Sequence, residues 1–244
     1  MKPLRIVRIA ADRLLPQWIV RFLWVVYGFL KPTARSFSQN GEDLIVRAYF
    51  DRIGLRIGTY LDIGCFHPVW ISNTHSLHRR GWSGVAIDID RFKLAAMKFA
   101  RRGRVECILG AVCGSSEEGA TAPVYKFDRG LSEIDTLELA SAEIHRAEGR
   151  GEFRREEVAL VDINRLMARL PHVDFINIDI EGLDKEVIIA LDFERFRPTV
   201  VLFEENKAWG ASPEVRRKLE SAGYERLFVS GGSICYAIPP TVAG

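Results

Sequence analysis

The stretch Tyr60-Leu61-Asp62-Ile63-Gly64 runs an apolar strand into an acid and then a glycine, and the next apolar run, Val85-Ala86-Ile87, again stops at a carboxylate, Asp88. Strands that end this way, with helical periodicity between them, restrict the chain to an α/β sheet whose ligand lies beyond the strand ends. Gly64 lets backbone approach a bound molecule where a side chain would crowd it. A carboxylate at the end of the second strand is placed to accept hydrogen bonds from the two hydroxyls of a ribose. The pair points to a nucleoside-containing cofactor.

The alternation continues along the chain. Helices are predicted over residues 38–50, 71–80 and 92–102, the last stopped by Gly103, and strands over 59–63, 84–88 and 105–109. Regularity resumes with a strand at 158–161, a helix at 163–170, a buried strand at 175–180 and a helix at 184–191. A strand at 199–203 delivers Glu204 and Glu205, a helix at 213–222 opens on Pro213, and strands at 225–229 and 234–238 flank a Ser230-Gly231-Gly232 turn. Between Glu117 and Glu157 the periodicity weakens and charge accumulates, which reads as an insertion or lid. Asp62, Asp88, Asp179 and Glu204 all stand at strand ends, so all four converge on one crevice. Any one of them alone reads as well as a helix N-cap.

Charge is distributed unevenly. The 244 residues carry a net +2, but residues 1–35 hold seven Lys or Arg against Asp12 and stand at +6. Between those cations lie Trp18, Phe22, Trp24 and Phe29 in an apolar run of about a dozen residues, interrupted by Arg21 and short of the roughly 20 needed to cross a bilayer. This basic amphipathic segment fits an interfacial helix with a peripheral membrane contact, or a helix packed on protein. Residues 36–244 then form the catalytic domain. Cys65, Cys107, Cys113 and Cys235 include no C-x-x-C pair, so a reducing, cytoplasmic setting is expected, at the inner membrane surface if the N-terminal segment binds lipid. No nucleic-acid partner is expected, and the oligomeric state is not legible.

Several blocks carry a family resemblance. Phe37-Ser38-Gln39-Asn40-Gly41-Glu42-Asp43, Leu61-Asp62-Ile63-Gly64, Ser72-Asn73-Thr74 with Gly81-Trp82-Ser83-Gly84, Asp179-Ile180-Glu181-Gly182 and Val201-Leu202-Phe203-Glu204 occur in the order seen in FkbM-type S-adenosylmethionine-dependent methyltransferases. The chain resembles that family from about Phe37 to Ile238. The resemblance implies a Rossmann-like class I methyltransferase fold, a seven-stranded, mostly parallel sheet with an antiparallel last strand. It assigns Asp62 and Gly64 to the methionine portion of S-adenosyl-L-methionine, Asp88 to the ribose and an Ala111-Val112 turn to the adenine, with Gln39 and Glu42 covering the cofactor. Cys65-Phe66 stand where the family has a small-polar pair, and Cys65 reads as a small residue contacting through its backbone. Asp88-Ile89-Asp90 replaces a common Glu-Pro. Val112 and Phe92 are the apolar groups expected to sandwich the base.

The resemblance further implies methylation of a hydroxyl on a sugar, glycan or secondary metabolite, a small-molecule or glycan acceptor whose identity no residue specifies. An acceptor hydroxyl needs its proton removed. Asp179, Glu181, Glu204 and His67 are the candidate bases, with His75 and His78 near the same loop. Asp179-Ile180-Glu181 also offers oxygen ligands to a divalent metal, a role left unassigned. Three other classes compete: a metal-dependent sugar-nucleotide transferase using Asp88-Ile89-Asp90 as a D-x-D, a nicotinamide oxidoreductase, for which the first loop has Gly64 alone where G-x-G-x-x-G is needed, and a membrane-tethered binding module. The insertion is expected to choose the acceptor.

Overall fold

The computed structural model describes residues 16, 19, 35–117, 119–127, 132, 134–180, 183–204 and 212–240. The basic, aromatic segment 1–35 therefore lies outside the described residues apart from Pro16, Ile19 and Arg35, as do Glu181, Gly182 and Glu205. Ser36–Gly244 form one compact unit.

Its first half contains α1 (Glu42–Arg52), β1 (Thr59–Ile63), α2 (His75–His78), β2 (Ser83–Asp88), α3 (Arg91–Arg101), β3 (Val105–Leu109) and β4 (Ala111–Cys113). Next come β5 (Thr121–Phe127), α4 (Leu139–Ala147), β6 (Phe153–Asp162), α5 (Ile163–Arg169) and β7 (Phe175–Ile178). The chain continues through α6 (Asp184–Ala190), α7 (Phe193–Phe196), β8 (Val200–Glu204), α8 (Pro213–Ser221), β9 (Glu225–Ser230) and β10 (Ser233–Ala237).

The main sheet has seven strands in the order β3-β2-β1-β7-β8-β10-β9. All neighbouring pairs are parallel except those of β10, which is antiparallel to both β8 and β9. Strands β1, β7 and β8 are buried nearly throughout because helices cover both faces. Alternate residues then sort into two cores. Leu61, Ile63, Ile176, Ile178 and Val201 pack with α5 and α6 on one face, while Tyr60, Phe175 and Leu202 pack with Val46, Phe50 and Trp82 on the other. Chain order reverses between β1 and β7, which opens a crevice at their carboxyl ends. Among the described residues no helix is long and apolar enough to cross a membrane.

Three elements differ from the sequence expectation. The helix predicted over 71–80 is only α2, because Ile71 adopts φ 50° and residues 68–74 fold back as a loop. The first helix starts at Glu42 rather than near Ser38: Gly41 stands at φ 88°, and the Ser36 and Ser38 hydroxyls both donate to Asp43 Oδ1, at 2.7 and 2.9 Å. Ala111-Val112 is strand rather than turn, pairing with Leu160 and Val161.

The insertion is built rather than irregular. Strands β5 and β6 form an antiparallel hairpin from Thr121↔Ala159 to Phe127↔Phe153, and β6 also pairs with β4, giving a second sheet in the order β4-β6-β5. A small core of Tyr125, Phe127 and Ala142, with Ile134 and Phe153, fixes α4 to this hairpin.

Candidate active site

The ends of four strands surround a cavity of 710 Å³, within the range that holds a drug-sized ligand. Gly64 follows β1, Asp88 ends β2, Asp179 follows β7 and Glu204 ends β8, and all four line it. Gln39 from the loop before α1 and Gly231-Gly232 from the β9–β10 turn form the front. Ile89, Ala111, Val112, Ile134, Asp135 and Leu137 form one side. Of the sequence-predicted residues, the cavity thus brings together Gln39, Gly64, Asp88, Ala111, Val112, Asp179 and Glu204. Glu42, Asp62, Cys65 and His67 do not line it, and Glu181 is outside the described residues.

Gly64 has a stringent requirement. It sits at φ 81°, and a Cβ there would lie 1.7 Å from the Asp179 carbonyl oxygen, so the backbones of β1 and β7 meet where only glycine fits. The Asp179 N–H donates to Ile63 O at 2.9 Å and the Gly64 N–H to Ile87 O at 2.9 Å, which sets the two strand tips side by side.

Asp62 shares a sheet face with Asp88 but lies one step deeper, level with Ala86 and Asn177, and is spent on structure. Its carboxylate accepts from Thr74 Oγ1 at 2.5 Å and Asn177 Nδ2 at 2.9 Å, and Asn73 Nδ2 donates to Asn177 Oδ1 at 3.0 Å. Arg101, fully buried, donates to Tyr60 OH, Thr74 Oγ1, Ser72 Oγ and Pro68 O at 2.8–3.1 Å. The Ser72-Asn73-Thr74 block is therefore a polar clamp that carries the chain back beneath the β1 tip. Cys65 packs between β2 and α3, where burial pushes its thiol well above the ordinary range. Glu42 is 2% exposed and accepts from the Asn40 N–H at 2.9 Å, bracing the turn that presents Gln39. His67 is exposed, and its Nδ1 accepts from the Val69 and Trp70 N–H groups. His75 and His78 are each lowered to about 4 by burial and then by Arg101, so both are neutral at physiological pH.

Asp88 and Glu204 differ in setting. Burial raises Asp88 to about 6 against the pull of Lys93, while its Oδ1 accepts from the Asp90 N–H at 2.8 Å. Glu204 is partly buried, and desolvation raises its carboxyl above the ordinary glutamate value. Beneath it, buried Asp184 is raised to about 6 by burial and accepts from the Glu204 and Ile180 N–H groups at 3.3 and 3.4 Å. This ties the two segments of the cavity floor together. Asp90 is not a free ligand: it caps α3 by accepting from Phe92 N and Lys93 N at 2.7 and 3.1 Å, and it faces Lys126 Nζ at 3.5 Å. Those commitments count against the D-x-D reading. Among the described residues no group of three or more His, Cys, Asp or Glu is arranged to hold a metal ion.

The Methyltransferase FkbM domain model matches residues 53–226. The chain belongs to the FkbM methyltransferase family. No curated protein matches it. Among solved structures, this FkbM methyltransferase is similar to a TehB-like SAM-dependent methyltransferase from Corynebacterium glutamicum, at 11% identity over 90% of this chain and 96% of that one, with a TM-score of 0.41. It is also similar to an O-methyltransferase from Bacillus cereus in complex with SAH, at 16% identity over 95% and 96% of the two chains, again with a TM-score of 0.41.

The family match and the seven-stranded sheet with its antiparallel β10 make this the Rossmann-like class I methyltransferase fold, and the cofactor is S-adenosylmethionine. The cavity fits it on three counts: the Gly64 cradle, a carboxylate at the β2 tip for the ribose, and an apolar side lined by Ile89, Ala111 and Val112 for a flat base. Phe92, which the sequence placed at the base, is 61% exposed on α3 and does not line the cavity, whereas Ile89 does. Asp88, Asp179 and Glu204 give the floor a negative bias that favours a sulfonium. When bound, the cofactor would supply an electrophilic methyl group, and the FkbM chain would supply position and shielding. Residues that the sequence did not signal as ligands include Ile89, Asp135, Leu137 and Gly231-Gly232. Ile89 was readable from its place directly after Asp88, whereas Asp135 lies in the segment of weakest periodicity.

Proposed function

We propose that this methyltransferase acts on a hydroxyl oxygen of a sugar, glycan or secondary metabolite. The observation that carries the reading is Glu204: a carboxyl raised by desolvation, on the cavity floor, one strand away from Asp179. A hydroxyl must give up its proton as its oxygen is methylated, and a base with an elevated pKa accepts that proton most usefully near neutral pH. Asp179 at the neighbouring tip then orients the acceptor. Gln39 and the Gly231-Gly232 turn shield the front of the cavity from water.

The test is single-turnover transfer from methyl-labelled cofactor to a panel of sugars, glycans and polyketide alcohols, with the product identified as a methyl ether. Glu204→Gln is expected to slow transfer by about 10²–10⁴-fold, to remove the acidic limb of the pH–rate profile and to leave S-adenosylhomocysteine affinity unchanged. Near-parental turnover of Glu204→Gln, set beside Asp179→Asn, moves the base to Asp179, and methylation of nitrogen or carbon alone overturns the reading.

The +6 charge and aromatic residues of segment 1–35 support a second element of the reading, a lipid-linked or membrane-proximal acceptor met at the inner membrane surface.

A further inference from the structure

The side of the cavity next to Ile89 is made by the insertion. Leu137 packs with Ile89, Ala111, Val124 and Val158. Lys126, on β5, donates from Nζ to Ile89 O at 2.9 Å and faces Asp90 at 3.5 Å and Glu156 at 3.4 Å, so the hairpin is anchored to the segment that follows the β2 carboxylate. Two residues before Leu137 stands Asp135, 8% exposed and lining the cavity. Its Oδ1 accepts from the Phe127 N–H at 2.9 Å, and its Oδ2 is buried with no hydrogen-bond partner. Lys126 is committed to Ile89, Asp90 and Glu156, and burial raises the Asp135 carboxyl although the Phe127 N–H, the Lys93 charge and the Ser132 side chain favour its ionised form; none of these meets Oδ2 in a hydrogen bond.

A buried carboxylate oxygen without a donor costs free energy that a ligand donor recovers. The slot beside it is apolar and suited to a flat base, and the ribose is claimed by Asp88 at the adjoining tip. The ring nitrogens of adenine free to face a protein are acceptors, and its exocyclic amine is its hydrogen-bond donor. We propose that Asp135 reads the exocyclic amine of the cofactor's adenine through Oδ2, making the insertion the element that selects the base of the cofactor. The inference rests on the family's cofactor and is independent of which acceptor is methylated. Burial and the Phe127 contact hold the carboxylate in place before ligand arrives, so little ordering is required on binding.

Calorimetry on the full chain with S-adenosylhomocysteine and S-inosylhomocysteine tests it, because the second replaces the amine by an oxygen acceptor. The parent is expected to bind the adenine compound at least about tenfold more tightly, the range of a hydrogen bond to a charged group. Asp135→Asn retains an acceptor for the Phe127 N–H and places an amide donor where Oδ2 stood. Its unliganded melting temperature should match the parent's, and its preference should fall towards unity, with weaker binding of the adenine compound and stronger binding of the inosine compound. Equal affinities in the parent overturn the proposal, as does an undiminished preference in Asp135→Asn, which would assign recognition to backbone. Should that variant not fold, Asp135→Ser, which removes the carboxylate, must show the same loss of preference. Absence of any binding by the parent removes the cofactor site itself, an outcome separate from a changed ratio.

Discussion

At the scale of single residues, identical chemistry at equivalent positions is put to different uses. Asp62 and Asp88 both sit near the ends of parallel strands and on one sheet face, yet Asp62, one step deeper, accepts from Thr74 and Asn177 while Asp88 lines the cavity. The consequence for Asp88 is a cost. Its carboxyl is raised from 3.8 to about 6 by burial, so the folded state holds its proton over a range where the unfolded chain has released it. This group therefore leaves stability intact below about pH 4, erodes it as pH rises towards 6, and imposes a constant penalty above that. Asp88→Asn is expected to raise the unliganded stability by about 1–3 kcal/mol at pH 8, with the gain vanishing near pH 4. The same substitution should weaken S-adenosylhomocysteine binding by about one to two orders of magnitude at pH 8. Melting curves and calorimetry across this pH range check both halves, and unchanged affinity would remove Asp88 from the ribose.

Among elements, the loop over residues 68–74 shows how one side chain substitutes for secondary structure. Arg101, on the last turn of α3, supplies hydrogen bonds that a helix would otherwise have made internally, and it reaches Pro68, Ser72, Thr74 and Tyr60. Arg101→Leu strands these buried acceptors, each left unpaired at about 1–3 kcal/mol, and is expected to destabilise the protein by about 3–5 kcal/mol. Hydrogen exchange should show protection lost first in residues 68–74 and at the β1 tip. Uniform loss across the whole sheet would mean that the loop does not depend on Arg101. The β5–β6 hairpin illustrates the converse: Arg154–Glu156 and Arg155–Glu157 pair at spacing two, each pair along one face of a strand that is largely exposed. Charge that made this segment read as irregular is in fact charge laid out with strand periodicity.

For the whole molecule, the separation between segment 1–35 and the unit Ser36–Gly244 matters most. The family match begins at residue 53, and every described cavity residue falls within 39–232. Deleting residues 1–30 is expected to leave S-adenosylhomocysteine affinity and the melting temperature of the remaining unit unchanged, while reducing co-sedimentation with anionic liposomes. Added salt should weaken liposome binding of the full chain, since a surface of +6 acts through a screened interaction. A truncated protein that unfolds would assign the segment to protein packing instead.

The sequence by itself determined the sheet, most of its strand limits and the convergence of Gly64, Asp88, Asp179 and Glu204, because two-sided burial of parallel strands leaves runs such as Phe175-Ile176-Asn177-Ile178 that few other folds accommodate. It also exposed the family, through blocks whose order is a one-dimensional property. Only the tertiary structure decided which acids line the cavity: register puts Asp62, Asp88 and Glu204 on one sheet face, but Asp62 lies one step below the strand tips, beside Asn177 on β7, and the two satisfy one another. The role of the insertion was likewise decided in three dimensions. Strands β5 and β6 are held by cross-strand pairing and by Lys126 on Ile89, contacts between residues far apart in the chain that leave no local pattern to read. Asp135 acquires its place beside the base slot from that docking, and from nothing in its own sequence neighbourhood.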